Sequence, residues 1–133
     1  VKITKWNADK VEAKATQIME RRVALASVVV QGEVKRKLNR SNRGGTEPSA
    51  PGQPPNKGSG DLQRSIFQEV TRVGKMVHGF VGSRLLKARR LELGYVGRDR
   101  LGRTVDQKPR PFLRSTLVEQ RDRLRSILLG GKK

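Results

Sequence analysis

Leu62-Gln63-Arg64-Ser65-Ile66-Phe67-Gln68-Glu69-Val70-Thr71-Arg72-Val73-Gly74-Lys75-Met76-Val77-His78-Gly79-Phe80-Val81 is the stretch that decides the fold. Ile66, Gln68, Val70 and Arg72 alternate with Phe67, Glu69, Thr71 and Val73, the period of two that a pleated strand imposes on its two faces. Gly74-Lys75 then offers a tight turn. The pattern predicts that Leu62 to Val73 begins a sheet and that Met76 to Val81 returns as its antiparallel partner.

Downstream, Ser83 is placed to cap a helix from Arg84 to Leu93, and Gly94 to supply the left-handed residue that ends it. Leu85, Ala88 and Leu91, with Leu86 beside them, give that helix its apolar side. Lys87, Arg89 and Arg90 fall elsewhere on the cylinder and make one side basic. Tyr95 to Lys108 carries Gly97, Gly102 and four basic residues, in a pattern compatible with either a loop or a projecting hairpin. Pro111 suits the first turn of a last helix, where its missing N–H has no partner to lose. Phe112, Leu113, Leu117, Leu124, Ile127 and Leu128 form the apolar side of that helix, and Phe112 and Leu113 are its candidate core anchors. Gly130 to Lys133 should fray.

Upstream, Val11, Ala15, Ile18, Leu25, Ala26 and Val29 recur at three- and four-residue steps from about Ala8 to Leu38, marking an apolar stripe on a long helix with Asn7 as its N-cap. Val28 to Val30 could also be read as strand, but length and flanking pattern favour helix. Some 30 residues at about 1.5 Å each span about 45 Å, more than a domain of this size covers. Part of the helix is therefore expected to meet another subunit. From about Arg40 to Gly60 the apolar signal gives way to Pro, Gly, Ser and Asn, which predicts a long mobile loop inside a single domain spanning residues 1–133. The fold class is α+β: a small antiparallel sheet built on a β-hairpin and packed against a long N-terminal helix, a middle helix and a C-terminal helix.

The chain has 133 residues, and 30 Lys and Arg against 12 Asp and Glu leave it at +18. Such an imbalance attracts polyanions and repels copies of itself at low salt, whether its purpose is to meet nucleic acid or to neutralise an acidic protein neighbour. Cysteine is absent, which excludes disulfides and thiolate metal sites. The longest strongly apolar run, Val23 to Val30, is far below the roughly 20 residues of a membrane span, and no signal segment opens the chain, so it reads as soluble.

No phosphate loop, zinc motif or nucleophile elbow is present, and a histidine-based triad would have to use His78, the single histidine. Glu92, Asp99 and Asp106 stand among arginines, which favours ion pairing over acid and base work. The expectation is therefore no enzyme, no cofactor and no metal. Few aromatics are available to stack on bases, so single-strand recognition is poor, while sequence-independent attraction to duplex DNA survives.

Five elements follow in fixed order between Ala50 and Leu117: Pro51-Gly52-Gln53-Pro54-Pro55, Ser59-Gly60-Asp61-Leu62-Gln63-Arg64-Ser65-Ile66, Val81-Gly82-Ser83, Leu91-Glu92-Leu93-Gly94 and Pro109-Arg110-Pro111-Phe112-Leu113-Arg114. In order and approximate spacing they resemble the small tail-component, or tail-completion, proteins of long-tailed lambda-like phages, typified by the tenth-gene tail component. The likeness covers about half the chain. It departs from the family at Lys87, where an aromatic is common, at Tyr95, where a small hydroxyl residue is common, and near Ser115, where a proline is common.

The resemblance implies a structural virion protein of the phage neck, assembled in the host cytoplasm as a homo-oligomeric ring, six-fold favoured over twelve-fold. DNA passes through the ring, and neighbouring neck, connector and tail proteins are its partners. Arg89, Arg90, Arg98, Arg100 and Arg103 are the candidate interface or DNA-channel residues, with non-specific contact to duplex DNA and no membrane partner. The competing reading is a basic accessory protein that binds duplex nucleic acid.

Overall fold

The computed structural model of the chain describes residues 7–39 and 48–131. Its elements run α1 (Ala8–Asn39), α2 (Asp61–Arg64), β1 (Ile66–Val73), β2 (Met76–Ser83), α3 (Leu86–Leu93), β3 (Tyr95–Arg98), β4 (Thr104–Gln107), α4 (Leu113–Glu119) and α5 (Arg121–Leu129). The architecture is α+β, with α1 laid across the β1–β2 hairpin and the C-terminal helices packed beside it. Of the predicted 40–60 loop, residues 40–47 lie outside the described set.

The Asn7 side chain starts α1 by accepting the Lys10 N–H at 3.1 Å. Asp9 in the first turn and Arg36 and Lys37 in the last complement the helix dipole. The face that α1 buries is not the predicted stripe. Thr16, Ala26, Ser27, Val30, Val34 and Leu38 point inward, whereas Val11, Ile18 and Leu25 are 51, 39 and 50 % exposed. Of the stripe only Ala26 is fully buried, with Val29 half-buried. At about 100° per residue, Leu25 and Val34 lie half a turn apart, so α1 has two apolar faces and only one meets the sheet.

The sheet selects that face because α1 and β2 come unusually close at Gly79. A Cβ there would lie 2.9 Å from Val23 Cγ1 and closer still to the Ser27 hydroxyl. Only a face with a small residue at 27 fits over a strand with none at 79. Strand register runs from Ile66 opposite Ser83 to Val73 opposite Met76, with Gly74-Lys75 as the two-residue turn. The first strand starts later than predicted, because Asp61–Arg64 forms a helical turn closed by the Ser65 N–H on the Asp61 carbonyl at 2.8 Å.

The core joins Val30, Val34 and Leu38 of α1 to Ile66, Ala88 and Phe112, with Leu62, Val81, Leu85, Leu91, Leu113 and Leu124 packed around them. Phe112 is fully buried. It is the largest fully buried side chain among the described residues, and it ties the last helix to α1, β1 and α3 together.

Ser83 does not cap the middle helix. Strand pairing runs on through it, its hydroxyl meets that of Ser65 at 2.6 Å and accepts the Leu85 N–H at 3.1 Å, and the helix starts at Leu86. The last helix starts at Leu113, two residues beyond Pro111, and a bend at Gln120 divides it. Ser115 and Thr116 donate their hydroxyls back to the carbonyls of Pro111 and Phe112 at 3.1 and 2.7 Å, a local competition with the helix ladder that bends helices. Tyr95 to Lys108, open between loop and hairpin in the sequence, contains the antiparallel hairpin β3–β4 with Tyr95 opposite Gln107.

Candidate functional site

Three of the five motif elements, Pro51–Pro55, Leu91–Gly94 and Pro109–Arg114, spread over more than sixty residues of sequence, meet at one junction around Pro109 to Arg114. The Pro109 carbonyl accepts the Gly52 N–H at 2.9 Å, and the Arg110 N–H reaches the Leu91 carbonyl at 2.6 Å. Arg110 Nε donates to the Ser49 carbonyl at 2.8 Å. This tethers the described part of the Pro/Gly loop to the same hub that starts the last helix.

At the centre of the hub sits Glu92, and its role differs from the ion pairing expected of it. One carboxylate oxygen accepts the N–H groups of Phe112 and Leu113 at 2.8 and 3.0 Å, and the other accepts that of Arg114 at 2.7 Å. These donors open α4 and have no partner within the helix, so a carboxylate twenty residues earlier in the chain supplies their acceptor. None of the described ion pairs involves Glu92. This also explains where the helix begins, since the side chain fixes Phe112 to Arg114 as its first turn.

Gly94, next after α3, takes φ 79° and ψ 171°, a region that side chains other than glycine's essentially do not enter. A Cβ there would approach the Gln107 carbonyl oxygen to 2.9 Å and Pro109 Cδ to 3.0 Å. The predicted positive φ is present, but ψ lies outside the left-handed helical region. The chain thereby leaves α3 directly into the β3–β4 hairpin.

That hairpin carries three of the five candidate arginines. Arg98 lies opposite Thr104 at the end of the ladder, and Arg100 and Arg103 lie in or beside the turn. Asp99 organises the turn: one oxygen accepts the Leu101 and Arg103 N–H groups, both at 2.9 Å, and the other accepts Arg103 Nε at 2.7 Å. The Arg103 backbone N–H, then the Arg103 side chain and the Leu101 N–H, hold the Asp99 carboxyl below the usual aspartate range against the opposing effect of desolvation. Arg103 is thus occupied within its own turn. Arg90 lies over the Tyr95 ring at 4.2 Å, a cation–π contact that ties the end of α3 to the start of β3. Arg89, Arg98 and Arg100 are exposed, and none of the described ion pairs engages them. The structure therefore sorts the group into three unengaged cations and two that also build the hairpin.

Asp106 pairs with Lys108 at 3.0 Å, not with an arginine. His78 stacks against Phe80 on the sheet, with ring centroids 6.2 Å apart. A cleft of about 340 Å³ lies beside the hub, with Leu38, Pro55, Leu62 and Leu91 below and Lys57, Lys87 and Arg110 around it. Its lining carboxylate, Asp61, is bonded to Ser59 and to Arg64, the latter at 2.6 Å, and these bonds hold its pKa below the usual aspartate range. The cleft offers cations to an anionic group and no activated nucleophile. Among the described residues no group of three or more His, Cys, Asp or Glu side chains could hold a metal ion. Among them, too, no helix is long and apolar enough to cross a membrane.

No protein-family model, no curated protein and no solved structure matches the chain. The role of Glu92 is not legible in the sequence, where only its arginine neighbours stand near it: the backbone donors it serves are brought to it by the fold.

Proposed function

We propose that the chain is a ring-forming structural subunit of the neck of a long-tailed phage, a tail-completion or head-tail joining component through whose ring DNA passes. The observation that carries this reading is the second apolar face of α1. Val11, Ile18, Leu25 and Val28 stand exposed on a 32-residue helix whose opposite face already serves the core. Apolar surface left open along such a helix marks a protein contact.

Two further features agree. Three of the motif elements behind the family resemblance meet at a hub of backbone bonds, which suits elements that hold a shape more than elements that perform catalysis. Arg89, Arg98 and Arg100 stand clear of internal partners, available to acidic neighbours or to DNA phosphates. In this reading copies dock head to tail into a ring, six-fold favoured over twelve-fold, that completes the tail end and meets the head connector. Its place is the virion neck, after assembly in the host cytoplasm, and it has no enzymatic activity.

Electron microscopy of the purified protein and of virions tests the proposal. The expected result is a symmetric ring that occupies the neck. A protein that stays monomeric and shifts duplex DNA in a gel at physiological salt would instead identify a nucleic-acid-binding accessory protein.

A further inference from the structure

On the outward face of α3, arginines and exposed leucines interleave. At about 100° per residue, Leu86, Arg89, Arg90 and Leu93 fall on one side of the helix, and Ala88, buried in the core, lies about 160° round from Leu86. Leu86 and Leu93 are 76 and 66 % exposed. This strip is held from behind. Glu92, the only acid of α3, lies about 120° round from Leu86 and accepts the N–H groups of Phe112, Leu113 and Arg114, while the Leu91 carbonyl accepts that of Arg110. No acid of α3 therefore faces the two arginines. Arg90 is aimed as well: its guanidinium lies 4.2 Å over the Tyr95 ring, whose hydroxyl donates to the Arg98 carbonyl at 3.0 Å. A Cβ at Gly97 would meet that hydroxyl at 2.6 Å, so the ring keeps its place only over a glycine. It covers one side of the guanidinium and leaves the N–H edge to a carboxylate.

Charge and apolar surface together select the occupant. The phosphates of a duplex would serve the arginines and offer the leucines nothing apolar along the backbone, whereas an uncharged apolar surface would strand the arginines. A lipid surface needs an apolar face longer than two leucines on an eight-residue helix. A second copy fits poorly. The chain carries +18, and seven of its twelve acids already serve internal ion pairs or, for Glu92, backbone donors. What matches both kinds of side chain is an acidic amphipathic helix from a different protein. Apolar residues at seven-residue spacing would meet Leu86 and Leu93, with carboxylates beside them for Arg89 and Arg90.

We propose that the outward face of α3 docks an acidic amphipathic helix of a partner protein, with Leu86 and Leu93 as the apolar contacts and Arg89 and Arg90 as the carboxylate clamps. This gives Arg89 and Arg90 to a protein neighbour and not to DNA. That the partner is a neighbouring layer of the neck rests on the reading above, and the test keeps the two separable.

The full chain is titrated at physiological salt against labelled probes: a helical peptide with leucines at seven-residue spacing between glutamates, the same peptide with alanine for leucine, a duplex oligonucleotide and phosphatidylglycerol vesicles. The leucine peptide should bind at least about tenfold more tightly than the alanine peptide, and Leu86→Ser with Leu93→Ser should remove this difference while duplex binding stays unchanged. Both leucines are exposed, so the variant should keep the circular dichroism and thermal midpoint of the wild type. Arg89→Gln with Arg90→Gln should weaken binding of the leucine peptide by about tenfold as well. The proposal is overturned if the two peptides bind alike, or if the leucine variant binds the leucine peptide as the wild type does. If the leucines matter instead for duplex or vesicle binding, the strip belongs to nucleic acid or to a lipid surface and the proposal fails. A chain that forms no ring yet binds the leucine peptide keeps this contact and removes the neck reading; neck rings that bind no peptide do the reverse.

Discussion

Replacing Glu92 by alanine should destabilise the fold far more than its half-buried position on an eight-residue helix suggests. Three backbone N–H groups lose one anionic acceptor at once, at 2.7 to 3.0 Å. The Arg114 N–H is exposed and regains water at little cost. Those of Phe112 and Leu113 are partly buried beside the core, and each unsatisfied donor costs about 1–3 kcal/mol. Loss of the negative charge at the helix start adds about 0.3–1 kcal/mol. With some water admitted into the space left, the expected loss for Glu92→Ala is about 2–4 kcal/mol. Glu92→Gln keeps one acceptor oxygen without the charge and should lose about 1–2 kcal/mol, in line with ordinary capping effects. Glu92→Asp keeps the charge but shortens the reach, and should behave more like alanine than like glutamine. Urea denaturation followed by circular dichroism measures all three, with hydrogen exchange at residues 112–114 as the local readout. If Glu92→Ala lies within about 0.5 kcal/mol of wild type and exchange at these amides is unchanged, the carboxylate does not hold the last helix and the account of the hub is wrong.

Phe112→Ala, at a fully buried position, should cost about 3–5 kcal/mol in the same denaturation assay, and a thermal midpoint unchanged within error would remove Phe112 from the core. Gly79→Ala drives a methyl group into Ser27 and Val23, so α1 must shift away from the sheet; we expect a loss of about 1–3 kcal/mol, with wild-type stability as the contrary result. Asp99 has a carboxyl pKa lowered from the ordinary 3.8, so the turn it closes is intact above that value and loosens as the pH falls through the lowered one. NMR of the Leu101 and Arg103 amides should report loosening only in that acid range, and amide shifts that already move at neutral pH would contradict it. On the proposed neck role, replacing Arg98, Arg100 and Arg103 together by glutamine should leave separated heads and tails in an infection with a phage that carries the variant, whereas single changes should do little, because exposed charge pairs contribute only about 0–1 kcal/mol each. Normal joining and DNA delivery by the triple variant would make the cluster a solvated surface.

The sequence by itself determined what depends on neighbours along the chain. Alternation from Ile66 to Val73 and the turn residues Gly74-Lys75 specify a hairpin because pleating and turn geometry act over a few residues. Asn7 marks the start of α1 for the same reason, since its side chain serves a donor three residues away. Tertiary structure decided what depends on partners distant in sequence. The spacing of Val11, Ile18 and Leu25 shows that an apolar face exists, but α1 has two, and the contact of Ser27 with Gly79 selects the one that is buried. Ser83 could cap a helix or extend a strand, and its pairing with Ile66 chose the strand. Glu92 reads as one more acid among arginines until the fold brings Phe112, Leu113 and Arg114 to it. Periodicity shows that a surface needs covering and a side chain needs a partner; only packing in three dimensions determines which surface and which partner meet.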